Sequence, residues 1–303
     1  MRVFYSDHYV IPLPEGHRFP MRKYAMLRDR VAASFASGGL REARRASDAD
    51  LLRAHSPSYL RRVVSGSLEK QEIRRLGFPW SERLVERSRR ASGGTIDACL
   101  AALEEGLAAN LAGGTHHAFR DRGEGFCVFN DTAVAVRALQ AARLVERVAV
   151  IDTDVHQGDG TAAIFAGDGS VFTFSVHGER NYPFRKQRSD LDVGLPDGAD
   201  DGAFLEALEA GLERALDASR PQLAVYLAGA DPFEDDRLGR LAVSKEGLAE
   251  RDRIVLEGCR ERGIPVAVTM AGGYARDIAD TVEIHLRSVL RAAALHATER
   301  KRR

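Results

Sequence analysis

The chain has 303 residues, 44% hydrophobic and 29% charged, which predicts a soluble globular protein long enough to bury a substantial core. Lys plus Arg and Asp plus Glu number 44 each, so bulk charge argues against nucleic acid or a membrane as partner. No run approaches the ~20 apolar residues of a membrane span. Cys99, Cys127 and Cys259 do not make a disulfide framework at this length, and the start, Met1 to Asp7, lacks the apolar core of a signal peptide. Both features point to a reducing cytoplasm.

In chain order, Val3 to Tyr5 reads as a first strand and Pro12 to Pro20 as a loop. Met21 to Phe35 has helical spacing and is expected to stop near Gly38-Gly39. His55 to Tyr59 is a turn that opens a short helix. Trp80 to Asn110 reads as mostly helical, with a break at Gly93-Gly94. Gly113 to His117 is a glycine-rich loop, and Asn130 to Glu146 a helix capped by Asn130 or Asp131. Arg147 to Ile151 is a β-branched apolar run, the mark of a fully buried strand. A short helix over Gly160 to Ala166 and a strand over Val171 to Val176 follow. Asp201 to Ala218 is a helix, Leu223 to Leu227 a buried strand, and Leu248 to Arg262 a helix stopped by Gly263. Ile264 to Met270 is the last strand and Ile278 to Leu295 the last helix. Strands alternating with helices predict a parallel sheet covered on both faces, and no linker or repeat divides residues 1–303, so one domain is expected. The Arg-rich segments Arg41 to Arg45 and Arg83 to Arg90 are expected on solvated helix faces. Lys301-Arg302-Arg303 is too short for a nucleic-acid tail.

Four segments follow predicted strands or helices at what should be the functional edge of such a sheet. The densest is Asp152-Thr-Asp154-Val-His156-Gln-Gly158-Asp159-Gly160. If the preceding strand runs on to His156, its two-residue period sets Asp152, Asp154 and His156 on one face. Carboxylates and an imidazole that close repel and lose hydration unless a cation holds them. Asp231, in Ala228-Gly-Ala-Asp231-Pro232, is a candidate third ligand for a metal with an open position, although Asp before Pro is also a common turn former. Zinc suits a hydrolytic site of this kind, and one imidazole with two carboxylates suits Fe(II) as well. The adjacent His116 and His117 offer a proton acceptor and a second, charge-stabilising imidazole. Asp152 and Asp159 are available to orient them. Tyr274, after Gly272-Gly273, is positioned to aim a phenol at an oxyanion opposite the metal. A binuclear site of the arginase kind needs further aspartates two residues beyond His156 and Asp231. Gly158 and Phe233 stand there, which favours one metal.

Taken together, Gly113 to Phe119, Gly125 to Asp131, Asp152 to Thr161, Ser175 to His177, Ala228 to Asp231 and Ala271 to Tyr274 resemble the zinc-dependent histone deacetylase family. That family includes acetylpolyamine amidohydrolases and bacterial acetoin-utilisation-type proteins. Gly229 to Pro232 with Asp236 to Arg240 looks most like its compact class IV branch and the bacterial acetoin-utilisation-type relatives. The resemblance implies an arginase/deacetylase-like α/β fold with a central parallel sheet of about eight strands. It also implies Asp154, His156 and Asp231 as zinc ligands. His117 becomes general base and acid, His116 its partner, and Asp152 and Asp159 their carboxylates, with Tyr274 polarising the carbonyl. Phe126 and Tyr182, with Gly125 and Gly272, match the acyl-lysine channel; phenylalanine often stands where Tyr182 does. Asp152, Ser175 and the carbonyls of Asp154, His156 and Val176 match a structural potassium site. The implied reaction is removal of an acyl group, acetyl above all, from lysine in proteins or peptides by metal-bound water. Acetylpolyamines, other small acylated amines, long-chain acyl-lysine, and binding without turnover are the alternatives. The resemblance leaves the oligomeric state open. Nothing in the balanced charge points to chromatin.

Overall fold

The computed structural model describes residues 1–35 and 39–300. Its strands are β1 (Arg2–Tyr5), β2 (Leu40–Glu42), β3 (Leu107–Asn110), β4 (Val148–Asp152), β5 (Val171–Gly178), β6 (Leu191–Leu195), β7 (Leu223–Leu227) and β8 (Val266–Thr269). All pair in parallel in one sheet of order β2-β1-β3-β8-β7-β4-β5-β6. The helices are α1 (Lys23–Ser34), α2 (Asp48–Leu51), α3 (Pro57–Ser65), α4 (Lys70–Leu76), α5 (Glu82–Glu105), α6 (Asp131–Ala141), α7 (Asp159–Phe165), α8 (Asp201–Ser219), α9 (Lys245–Glu261) and α10 (Ile278–Arg300). This is the α/β, arginase/deacetylase-like arrangement that the sequence predicts.

The alternation of strand side chains divides the core in two. Ala149, Ile151, Tyr226 and Val268 pack on one face with Leu208, Leu212, Val255 and Val289 from α8, α9 and α10. Val148, Val150, Val225 and Ala267 pack on the other with Ile96, Ala98, Val134 and Val136 from α5 and α6. With both faces covered, the sheet presents its carboxyl-end loops as its accessible functional edge. No helix among the described residues is long and apolar enough to cross a membrane. The three cysteines are buried and free.

Several expectations change. Leu107 to Asn110 is a strand, not the end of a helix: after Gly106 the Leu-Ala-Ala-Asn segment lies buried between β1 and β8. Helical propensity of alanine yields here to ladder pairing and burial. The edge strands β2 and β6, short and partly exposed, carry too little apolar pattern to be read. β4 ends at Asp152, so Asp154 and His156 belong to the loop and owe their convergence to its turn rather than to strand pleat. α1 stops at Ser34, with Phe35 extended, while Gly38 lies outside the described residues, as do Lys301, Arg302 and Arg303. Arg87 and Arg89 are buried rather than solvated: Arg87 lies 4.1 Å over the Tyr24 ring and Arg89 donates to the Ala46 carbonyl.

α5 runs unbroken through Gly93-Gly94. These glycines create a notch, not a break. A Cβ on Gly93 would overlap the Arg44 carbonyl, and one on Gly94 would sit 2.8 Å from Asn110 Oδ1. On an exposed helix Gly→Ala stabilises by up to ~1 kcal/mol. Here the sign reverses: Gly93→Ala should lower the free energy of unfolding by about 2 kcal/mol through overpacking. Urea titration of the two proteins checks this; an unchanged or higher midpoint would refute the notch.

Candidate active site

The loops after β3, β4, β7 and β8, four adjacent strands, converge at the carboxyl edge. Gly113 and Gly114 adopt φ of 80° and 73°, the left-handed region that glycine enters freely. Gly114 also lies against Ala271, where a Cβ would meet its Cα at 2.5 Å. Asp131, at the start of α6, fixes this turn by accepting from the Gly114 and Thr115 amides at 3.1 and 2.7 Å and from the Thr95 hydroxyl at 2.6 Å. The turn delivers His116 and His117 with ring centroids 4.1 Å apart. Nδ1 of His116 is 2.7 Å from Asp152, and Nδ1 of His117 is 2.7 Å from Asp159. An ionised carboxylate only accepts, so each Nδ1 carries the proton.

Asp154, His156 and Asp231 offer ligand atoms within 4.8 Å of one another, all buried. Backbone amides aim the carboxylates. Asp154 accepts from His156 at 2.9 Å and Gly272 at 2.7 Å, and Asp231 accepts from Val155 at 2.9 Å. Nδ1 of His156 faces Asp154 at 2.9 Å and Asp231 at 3.3 Å. The other oxygen of Asp231, Oδ2, is buried; His156 Nδ1 lies 3.3 Å from it, but no donor meets it with hydrogen-bond geometry. An unsatisfied, fully buried carboxylate oxygen costs several kcal/mol unless a cation meets it, so the donor set and its geometry fit a divalent metal. Asp231 is pushed up to about 7 by burial and by the charge of Asp154, the response of two carboxylates crowded without enough positive charge. His156 goes the other way: burial opposes protonation, but its bond to Asp154 and the nearby Asp231 carboxylate raise it to about 10. Gly158 has no room for a side chain, since a Cβ there would meet Asp152 Oδ2 at 2.5 Å.

The paired histidines differ. Burial lowers both, but the charges of Asp152 and Asp154 outweigh it at His116, which rises to about 9. His117, buried and beside that cation, falls to about 4 against the opposing bond to Asp159. Burial holds the Tyr274 phenol well above its ordinary value, in its protonated form.

A cavity of about 990 Å³ joins His116, His117, Asp154, His156, Asp231, Gly125, Phe126, Tyr182, Gly272 and Tyr274. Gly125 has φ 53° and packs on His117 and Tyr182, with a Cβ position 2.7 Å from His117 Cδ2. Phe126 follows at φ 66°, its ring 5.2 Å from Phe78 and 6.0 Å from Tyr274. Tyr182 stands edge-on to His117 at 4.9 Å and donates to Glu124 at 2.9 Å, which anchors the wall that a phenylalanine would leave free. Gly272 has no room for a side chain because Asp154 and Asp231 occupy it. Asp152 and Ser175 are register partners across β4 and β5, although the Ser175 hydroxyl also lies 2.9 Å from His177.

Three positioning groups escaped sequence reading. Asp236 accepts from the Tyr274 amide at 2.6 Å and from Leu238 and Gly239. The buried guanidinium of Arg251 bonds the Gly229 carbonyl behind Asp231 and the Asp252 carboxylate at 2.9 Å. His55 bridges the Phe119 carbonyl and the Asn130 amide, both at 2.9 Å. Only proximity in the fold reveals the contacts that matter here, Asp236 to Tyr274, Arg251 to Gly229, and His55 to Phe119 and Asn130.

Comparison with known proteins agrees with this geometry. The histone deacetylase domain family matches residues 17–289. An uncharacterized protein of Picosynechococcus is 46% identical over 96% of this chain and 97% of its own. Histone deacetylase 2 of Arabidopsis thaliana is 33% identical over 93% of this chain and 77% of its own, and a histone deacetylase-like amidohydrolase of Pseudomonas aeruginosa is 32% identical over 78% and 66%. The crystal structure of an HDAC homolog complexed with SAHA superposes with a TM-score of 0.83 at 25% identity, covering 97% of this chain and 84% of that one. The chain belongs to the histone deacetylase family of the arginase/deacetylase superfamily, and is thus one of its hydrolases.

His55 makes the fold sensitive to acid. Burial lowers its pKa from 6.5 to about 4. Between those values the unfolded chain holds a proton that the folded one does not, so stability from this group is whole above pH 6.5 and drains as pH falls toward 4. The expected slope is at most about 1.4 kcal/mol per pH unit. Denaturant titrations from pH 7 to 4.5 on wild type and His55→Asn check it: the variant should be less stable at pH 7 and show a shallower decline. Parallel curves would remove His55 from the account.

Proposed function

We propose that the protein is a zinc-dependent amidohydrolase that removes an acyl group, in the first place acetyl, from lysine side chains of proteins or peptides. The observation that carries this reading is the buried Asp154–His156–Asp231 triad with its unsatisfied Oδ2, sharing one cavity with two His–Asp pairs and a protonated tyrosine. Asp154, His156 and Asp231 would hold the metal; Fe(II) suits the same donors. A divalent cation there supplies Lewis acidity and a water of lowered pKa.

The chain's own groups do the rest. His117, neutral with its proton fixed on Nδ1 by Asp159, has Nε2 available to accept a proton from the attacking water and return it to the leaving amine. A cation held by Asp154, His156 and Asp231 would lower its pKa further, so His117 would stay neutral beside it. His116, its Nδ1 proton held by Asp152, stabilises through Nδ1–H and its ring the negative charge that develops during attack. Tyr274 donates its hydroxyl proton in a hydrogen bond to the carbonyl oxygen as that oxygen becomes an oxyanion. Phe126 and Tyr182 flank the aliphatic stem, and Gly125 and Gly272 leave the channel its width. Asp152 and Ser175, with the carbonyls of Asp154, His156 and Val176, are the proposed seat of potassium. The three buried thiols suit a reducing cytoplasm.

Two outcomes are expected. Asp231→Ala should lose most of its zinc by elemental analysis, because one ligand of three is gone; full occupancy would overturn the ligand set. Tyr274→Phe should retain zinc and its melting temperature, yet lose about 10²- to 10³-fold in turnover of an acetyl-lysine peptide. If the variant keeps more than about half of wild-type turnover, a role far smaller than that of a typical oxyanion donor, Tyr274 is only a wall of the cavity.

A further inference from the structure

The chain is electrically balanced, but the mouth of its cavity is not. Arg18, Arg74, Arg75, Arg180, Arg237 and Arg240 all line it and all are exposed. They come from four separate segments: the loop before α1, the end of α4, the turn after β5 and the loop after β7. The acidic residues that line the same cavity are Asp154 and Asp231, both at its floor in the metal triad. Of the six arginines, Arg75 pairs with Glu124 at 3.6 Å and Arg240 with Asp197 at 3.0 Å. Among the described residues, Arg18, Arg74, Arg180 and Arg237 have no carboxylate within 4.0 Å; Arg237 bonds only the carbonyls of Ala275 and Arg276. The rim thus presents four uncompensated cations around an entrance that a substrate must cross.

Such a ring repels a cationic substrate and draws in an anionic one. An acylated polyamine, or an acyl-lysine in a basic tail, carries the wrong charge. At the same rim Phe184 is 84% exposed and packs edge-on against Tyr182, an apolar contact suited to a chain with neighbours on either side of the lysine rather than to a small amine. We infer that the substrate is an acyl-lysine within a polypeptide segment rich in Asp and Glu, the carboxylates meeting the rim arginines while the acyl-lysine stem enters between Phe126 and Tyr182. This rests on the deacylase reading above and specifies its substrate.

The test uses zinc-loaded enzyme and three peptides of equal length with a central acetyl-lysine, flanked by Asp/Glu, by Ser/Gln or by Lys/Arg, together with an N-acetylpolyamine. At about 20 mM salt, where the Debye length exceeds 20 Å, kcat/KM should be about 10-fold or more higher for the acidic peptide than for the basic one. The gap should shrink at about 0.5 M salt, where exposed charges are screened. The double reversal R74E/R180E should diminish or invert the ratio of acidic to basic kcat/KM. Fluorescence anisotropy of the same labelled peptides is read in parallel. An acidic preference in binding without turnover supports the rim while sinking the hydrolytic reading. Turnover with equal or reversed preference overturns the rim and leaves the hydrolase standing, as does a better rate on the N-acetylpolyamine. Neither binding nor turnover of any peptide overturns both.

Discussion

The constraint on which this structure depends is the burial of two carboxylates, Asp154 and Asp231, against one imidazole nitrogen of His156. Like charges at that separation and burial are unfavourable without a cation, and the surrounding backbone is arranged to limit the cost. Amides of Val155, His156 and Gly272 each give a hydrogen bond to one of the two acids. Those amides belong to the loops after β4 and β8, so the triad is fastened to two strands while Asp231 itself comes from a third. The close approach leaves no volume for a Cβ at Gly272, and a Cβ on Gly229 would likewise lie 2.8 Å from the Asp154 Cα. The glycines of these motifs are therefore consequences of packing around charge, rather than of flexibility.

Two layers of support stand behind the triad and differ in kind. Around the histidines the support is acid to imidazole: Asp152 and Asp159 choose the tautomers, and Asp131 shapes the turn that brings both rings in. Behind Asp231 it is cation to carbonyl: Arg251, held by Asp252, bonds the Gly229 oxygen two residues upstream. Asp252 is itself satisfied by the Tyr226 and Ser288 hydroxyls at 2.6 and 2.5 Å. This network has no open face, in contrast to Asp231 Oδ2. A fully satisfied buried ion pair confers rigidity; the unsatisfied Oδ2 within the acidic triad suits a bound cation.

The sequence made the site more legible than the frame that carries it. Runs such as Val148 to Ile151 and Leu223 to Leu227 announce strands because covered parallel strands are apolar throughout, and the polar residues immediately after them stand out by contrast. β3 was hidden because Leu-Ala-Ala-Asn has no β-branched residue and continues a helical pattern from α5. β2 and β6 were hidden because edge strands are short and half solvated. The run from Asp152 to His156 is instructive in another way: the residues were grouped for a strand pleat that ends at Asp152, and the loop beyond brings them together by backbone turns instead. The positioning roles of Asp236, Arg251 and His55 could not be read, since the contact to Tyr274, Gly229, or Phe119 and Asn130 is made to a distant segment.

The sheet order has a consequence for the life of the chain during synthesis. β8 lies between β3 and β7, so the half of the sheet built from β2, β1 and β3 shares no strand pairing with the half built from β7, β4, β5 and β6 until Val266–Thr269 has been made. The amide that aims Asp154 and the phenol that faces it both follow that strand. A nascent chain released from the ribosome without its last ~50 residues would hold two unpaired inner edges and an unfinished cluster of acids, a state prone to associate with other chains. Closure of the sheet and completion of the catalytic edge thus depend on the same strand.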